Sequence, residues 1–428
     1  MNFFIKTFGC QMNVNDSEKI RHILREKGFS AVDNEADADI VIINSCAVRE
    51  KPQAKIFSYA GRIPKGKIII AAGCVAQAEK ENILKKNPDI HYIVGTHGYH
   101  KIGSIIEEIG KEKKRGVEAG FSKQWQELTP YVEFRESPVS GYISIMEGCD
   151  NFCSYCIVPF TRGREKYRPF ADIVREAEYL SAAGYREIVL LGQNVNNWRD
   201  ERKNMKFSDL LDYLAGNTAV RWIRFITSYP GYYDGELIAV MAKHEKIARH
   251  IHFPVQSGST RILKKMNRVY SRTRYLQIIK DFKKKIPAIK FSSDFIVGYP
   301  GETEPDFRLT LSLIGKVEYT SIFSFMYSPR KFTRAYKMQD DIPLDVKKER
   351  LHRLQDLQKT IQLRNNKKLI GSEIEALVTG PHPKKSGEVI GRTESYQVVN
   401  FVSGAAPGEI KRVSIKNVGP YSLRGEEL

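Results

Sequence analysis

Three cysteines constrain this chain more than any other feature. They stand in Gly148-Cys149-Asp150-Asn151-Phe152-Cys153-Ser154-Tyr155-Cys156, directly behind the apolar run Tyr142-Ile143-Ser144-Ile145-Met146. A strand must therefore deliver three sulfurs to one short loop, marked by Gly148, Asp150-Asn151 and Pro159. Three thiolates so placed hold three corners of a cubane iron–sulfur cluster and leave the fourth iron without a protein ligand. Open metal positions are where catalysis takes place, whereas structural sites are closed. A Cys-x2-Cys pair is more often half of a zinc site or a redox pair. Zinc would need a second pair of ligands, yet no cysteine follows Cys156 and the next histidine is His244. A disulfide is disfavoured in a reducing cytosol, and nothing in the sequence suggests export.

The Cys-x3-Cys-x2-Cys spacing resembles the signature of radical S-adenosylmethionine (SAM) enzymes. A chain of 428 residues allows two to four domains. No apolar run nears the ~20 residues of a membrane helix and the N-terminus lacks a signal-peptide layout, so we expect a cytoplasmic protein with no membrane partner. The formal net charge of +18 favours a polyanion through counterion release, although a solvated basic surface would carry the same charge.

The other three cysteines each close an apolar, β-rich run: Phe3–Phe8 before Gly9-Cys10, Ile40–Asn44 before Ser45-Cys46, and Lys67–Ala72 before Gly73-Cys74. Helical stretches between them, such as 16–24 with Asp16 or Ser17 as cap, predict a doubly wound parallel sheet. Ligands gather beyond the carboxyl ends of such strands, so three cysteines far apart in sequence meet at one point. Each alone would pass for a small buried hydrophobe. The strings Thr7-Phe8-Gly9-Cys10-Gln11-Met12-Asn13, Asn44-Ser45-Cys46-Ala47-Val48-Arg49 and Gly73-Cys74-Val75-Ala76-Gln77 resemble the N-terminal domain of the methylthiotransferases. That resemblance implies a second, auxiliary 4Fe-4S cluster on Cys10, Cys46 and Cys74, and hence two clusters with SAM. After Val94-Gly95 the pattern loosens into the charge run 111–115 and the stretch 130–138. We place the first domain at 1–130.

From 135 to 343 a strand-then-helix unit repeats, within a domain placed at 135–363, with strands expected at 142–146, 187–191, 221–226, 250–255, 291–297 and 321–326. Six units are fewer than the eight of a closed barrel, which predicts an α/β fold with an open, partial (βα)6 barrel and a wide mouth, and the resemblance implies that it is a radical SAM barrel. By resemblance, Tyr155, Gly192, Gln193 and Asn194 lie near the methionine and adenine ends of SAM, and Gln256, Asp294 and Ile296 face its ribose and adenine. His250 and His252 point to one face of a strand and receive no role. Arg162, Arg164 and Arg168 follow the loop closely and are candidates for steering an RNA backbone, or are merely exposed charges. Pro159–Glu165 resembles the tRNA-modifying branch of the methylthiotransferases. Tyr167 stands where that family usually has serine, Tyr229 where histidine is common, and Lys331-Phe332 where it tends to have Pro-Gly.

Residues 344–363 read as one amphipathic helix with Leu351, Leu354, Leu357 and Ile361 on a face. From 364 to 428 the texture is that of a small β-barrel. Gly391-Arg392-Thr393, Val398–Phe401 and Ser422–Gly425 resemble the TRAM RNA-binding module, in which Lys384, Lys385 and Arg392 would meet RNA; a structural cap on the larger barrel is the alternative.

Taken over the whole chain, the resemblance implies transfer of a methylthio group to C2 of isopentenylated adenosine beside the anticodon. SAM would be cleaved at the Cys149/Cys153/Cys156 cluster to give a 5′-deoxyadenosyl radical. Partners would be the tRNA anticodon stem-loop, a reductase or flavodoxin-type electron donor, and a sulfur donor. Sister activities on threonylcarbamoyl-adenosine or a ribosomal-protein aspartate, a non-catalytic metal-stabilised RNA-binding protein and an iron–sulfur electron carrier stay open.

Overall fold

The computed structural model describes residues 1–428 except Arg49, Lys113, Lys123, 127–130 and Phe134, and only the backbone of 50–53. Pro130, the expected end of the first domain, Arg49 of the second cysteine string and Lys113 of the charge run thus lie outside the described residues. The N-terminal sheet is parallel throughout, in the order Ser30–Ala31, Asn2–Phe8, Ile40–Ser45, Ile68–Gly73, Tyr92–Val94, Gly116–Glu118. Alternate residues of each strand face opposite sides. Ile40, Ile42 and Ile70 pack with Ile20, Leu24 and Ile106. Val41, Ile43, Ile69 and Ala71 pack on the other side with Ile56 and Ile83. Burial on both faces is what unbroken β-branched runs require, and it makes the sheet doubly wound.

The first helix corrects an expectation. It spans Gln11–Glu26 with Cys10 as N-cap, so Asp16 and Ser17 lie inside it rather than at its start. Both are buried because each finds a partner elsewhere: Ser17 Oγ meets Thr7 Oγ1 at 2.8 Å, and Asp16 pairs with Arg162.

In the centre, Ser140–Ser144, Glu187–Leu191 and Trp222–Phe225 form one parallel sheet, and His250–His252, Lys290–Val297 and Ser321–Met326 another. An isolated bridge between Ile223 and Ile247 joins them. Among the described residues the six strands therefore make an open arc. The helix Leu344–Lys367 buries Leu354 and Ile361 in the barrel core, with Leu351 and Leu357 partly covered.

The C-terminal strands close into a small barrel in the order Glu373–Pro381, Glu388–Arg392, Val398–Val402, Ser422–Glu427, Ile410–Val418. Its turn at 393–396 docks near the starts of the large barrel's strands. Arg224 donates to the carbonyls of Thr393 and Glu394, and His250 stacks on Tyr396 at 5.9 Å between centroids. That end lies opposite the cysteine loop.

The sheet and the large barrel are joined by ions. Arg135 pairs with Glu18 at 3.1 Å and with Glu176, which also binds Arg168, and these side chains are almost fully buried. Burial alone would raise the Glu176 carboxyl, yet Arg168 and Arg135 hold it down to about 2. A depressed acid stabilises the fold fully above its ordinary value of 4.5 and loses that contribution as pH falls toward about 2. Glu176→Gln should lower stability by about 3–5 kcal/mol at neutral pH, since it leaves two guanidiniums with one buried carboxylate. Thermal midpoints against pH check this: the gap to wild type should close on acidification below about pH 4.5.

Candidate active site

The strand Ser140–Ser144 ends beside the cysteine loop. Gly148 turns the chain there with a left-handed backbone (φ +81°), and a Cβ would stand 2.1 Å from the carbonyl oxygen of Arg164. Its N–H donates to Gln193 Oε1 at 2.6 Å, which ties the loop to the turn after the next strand. Donors reach two of the sulfurs: Asn151 Nδ2 lies 3.4 Å from Cys149 Sγ, and the buried Arg268 places Nη1 3.5 Å from Cys153 Sγ. Burial pushes the Cys149 thiol up to about 11. Burial, with repulsion from Cys153 and Cys149, pushes Cys156 to about 12. Three thiolates this close, Cys153 buried and the others partly so, repel one another beyond what Arg268 alone offsets, so iron charge suits this donor set.

The second triad forms as three neighbouring strands end. Asn2–Phe8, Ile40–Ser45 and Ile68–Gly73 are adjacent and in register, with Phe8 opposite Ser45 and Ser45 opposite Gly73. Cys10 follows the first by two residues, and Cys46 and Cys74 follow the others directly. Gly73 is left-handed (φ +89°), and a Cβ there would meet Asn44 Oδ1 at 2.2 Å. The hydrogen bond with Cys46, aided by Arg162, lowers the Cys10 thiol to about 6. That same bond and burial push Cys46 up, and burial pushes Cys74 up. The sulfurs thus sense one another, and the Arg162 cation acts on Cys10 and Cys74. Among the described residues no three His, Cys, Asp or Glu side chains converge tightly enough for a single ion. In a cubane each thiolate takes its own iron at a separate corner, which fits three thiols grouped more loosely.

Three of the residues expected at SAM, Gln256, Asp294 and Ile296, are joined by backbone hydrogen bonds. Gln256 N–H donates to the Asp294 carbonyl at 2.9 Å, and Ile296 N–H donates to the Gln256 carbonyl at 3.0 Å. Gln256 is itself left-handed (φ +75°), which turns the chain across the neighbouring strand. Asn194 donates to Glu165 at 3.2 Å. Its buried Oδ1 meets no protein group, and Gly192 lies close over Met146. Tyr155 is packed among the large-barrel residues and feels the charges of Arg268, Cys153 and Cys156. His252 lies 3.5 Å from Asp294.

The basic trio after the loop divides. Arg162 is buried on Asp16 and Arg168 on Glu176, so neither guanidinium faces an RNA backbone. Arg164 alone presents its side chain to solvent, 70% exposed. In the small barrel Lys384 and Lys385 are exposed, and Arg392 lies 4.7 Å over the Tyr396 ring. Sequence reasoning missed Asp16, Arg268 and Glu165. Glu165 gathers Asn194, Asn197 (2.6 Å) and Tyr167. Their signal is three-dimensional: Arg268 stands 115 residues from Cys153.

A cavity of about 220 Å³ is walled by Ala47, Val75 and Ile157, neighbours of Cys46, Cys74 and Cys156, together with Arg330, Lys331 and Phe332. No helix among the described residues is long and apolar enough to cross a membrane.

Comparison with known proteins gives this arrangement a context. Residues 2–95 match the Uncharacterized protein family UPF0004, 143–314 the Radical SAM superfamily and 367–428 the TRAM domain. The radical SAM methyltransferase TsrM from Kitasatospora setae, solved with cobalamin and a 4Fe-4S cluster, is 14% identical with a TM-score of 0.58, covering 78% of this chain and 77% of that one. OxsB, a cobalamin-dependent SAM radical enzyme, has a TM-score of 0.51 at 10% identity over 84% of this chain and 56% of that one. Both likenesses speak to fold. The tRNA-2-methylthio-N(6)-dimethylallyladenosine synthase of Clostridium botulinum (strain Hall) is 40% identical over 436 residues, 100% of this chain and 97% of the relative. Its counterpart in Bacillus subtilis (strain 168) is 40% identical over 99% of this chain and 85% of the relative. The chain is an enzyme of the radical SAM superfamily and belongs to the family of the tRNA-2-methylthio-N(6)-dimethylallyladenosine synthases.

Proposed function

We propose that this enzyme adds a methylthio group to C2 of N6-dimethylallyl-adenosine next to the anticodon of tRNA. The observation that carries the reading is identity of 40% along the whole chain to relatives bearing that name. Under it, Cys149, Cys153 and Cys156 hold the cluster that binds SAM, and Cys10, Cys46 and Cys74 hold a second 4Fe-4S cluster. The bound clusters and SAM supply radical chemistry at an unactivated C–H position, for which side chains alone have no easy route.

The chain's own residues do the rest. Gln193 fixes the loop through Gly148, while Arg268 and Asn151 donate toward the sulfurs and keep negative charge tolerable there. Arg162 reaches from just behind one triad to the other, binding Asp16 beside Cys74, and so holds their spacing. Ala47, Val75 and Ile157 give the cavity an apolar wall beside the triads, suited to an apolar base substituent, while Glu79, Arg330 and Lys331 line the rest. Tyr155, Gly192, Gln193, Asn194, Gln256, Asp294 and Ile296 are assigned to SAM, and Arg164, Lys384, Lys385 and Arg392 to RNA. The working division is 1–130, 135–363 and 364–428, in a cytoplasmic protein served by a reductase or flavodoxin-type donor and a sulfur donor.

Nucleoside mass spectrometry of tRNA from a strain lacking the gene tests this. Methylthio-dimethylallyl-adenosine should disappear and its precursor without the methylthio group should accumulate. Unchanged levels of the product would overturn the reading.

A further inference from the structure

Phe332 holds a left-handed backbone (φ +72°), which residues bearing a Cβ seldom adopt. Glycine adopts it freely. This chain keeps a phenylalanine there despite the strain, and strained residues of this kind cluster at ligand clamps and active sites. The ring lines the cavity beside the two triads, yet 58% of the residue is exposed. It rests on Phe160 at 5.9 Å between centroids, in a tilted stack. Phe160 meets Phe152 edge-on at 6.4 Å, and the exposed Arg164, in a solvent-facing ion pair with Asp150 at 3.3 Å, lies 4.8 Å over Phe152. The exposed Lys331 adjoins the other end of the stripe.

An aromatic stripe with a cation at each end suits single-stranded nucleic acid: bases stack on the rings and phosphates meet the cations. A base whose ring atom must reach a buried reaction site leaves its own stack, which frees the neighbouring base to find another partner. We propose that Phe332, backed by Phe160, is the platform on which the base next to the target adenosine stacks, holding that adenosine at the cavity. The proposal rests on the tRNA reading above and adds a positioning residue to it.

Full-length protein with reconstituted clusters tests it, with a dimethylallylated anticodon stem-loop carrying 2-aminopurine beside the target adenosine. Stacking on a platform is worth about 5- to 150-fold in affinity. Phe332→Gly should raise Kd by that factor and abolish the quenching of 2-aminopurine on binding. Its thermal midpoint should hold or rise, because glycine suits the backbone, and the salt dependence of Kd should not change, because no charge is lost. Phe332→Trp should restore both binding and quenching. Unchanged Kd and quenching in Phe332→Gly would overturn the platform. Should that variant instead lower the midpoint, Phe332→Trp decides, and absence of quenching there would also overturn it. Wild type that quenches the probe but adds no methylthio group would count against the proposed reaction and leave the platform standing.

Discussion

Replacing Cys10 with alanine is expected to cut the iron of anaerobically reconstituted protein from about eight atoms to about four, one cubane of two. SAM cleavage should persist while methylthio transfer falls to background. Cys10 caps the helix Gln11–Glu26 and its free thiol is hydrogen-bonded to Cys46, so its loss removes one corner of the three-thiol group. Alanine at this cap costs about 1 kcal/mol, which leaves the fold in place. Cys153→Ala should lose the other half of the iron and, unlike Cys10→Ala, all SAM cleavage. Iron unchanged by Cys10→Ala would remove the second cluster from the reading.

Arg162→Met should destabilise the protein by about 3–5 kcal/mol. Its guanidinium and the Asp16 carboxylate are 3% and 1% exposed, so methionine leaves a buried charge whose remaining side-chain partner among the described residues is the Tyr99 hydroxyl at 3.2 Å. Asp16→Asn in the same background removes that charge, and the double variant should recover part of the loss. Denaturant unfolding of the four proteins gives the coupling energy, expected between about 0.5 and 3 kcal/mol. Additive losses would mean that the pair does not bind the two domains.

What the sequence made legible was whatever lay contiguous. The loop Gly148–Cys156 carries its chemistry within nine residues, and the β-branched runs announce their burial by composition alone. Glu187–Leu191 and Ser321–Met326 fall where their apolar runs predict. Arg162 was misread because its partner stands 146 residues away in a helix with no mark of the pairing. A basic run beside a mouth looks the same whether its charges face solvent or a buried carboxylate. Periodicity also placed the first helix too late, since Cys10 caps it with a side chain that few helices use.

The small barrel's seat, on Arg224 and His250 at the far end of the large one, gives the tRNA reading a geometric consequence. An RNA engaging both the cysteine rim and this module must run the height of the barrel wall, about 17–20 Å for strands of five or six residues. The protein is then a ruler. On that reading an adenosine would be selected by its distance along the folded RNA from a second foothold, and two contacts fixed at a set span would multiply into one position-specific grip.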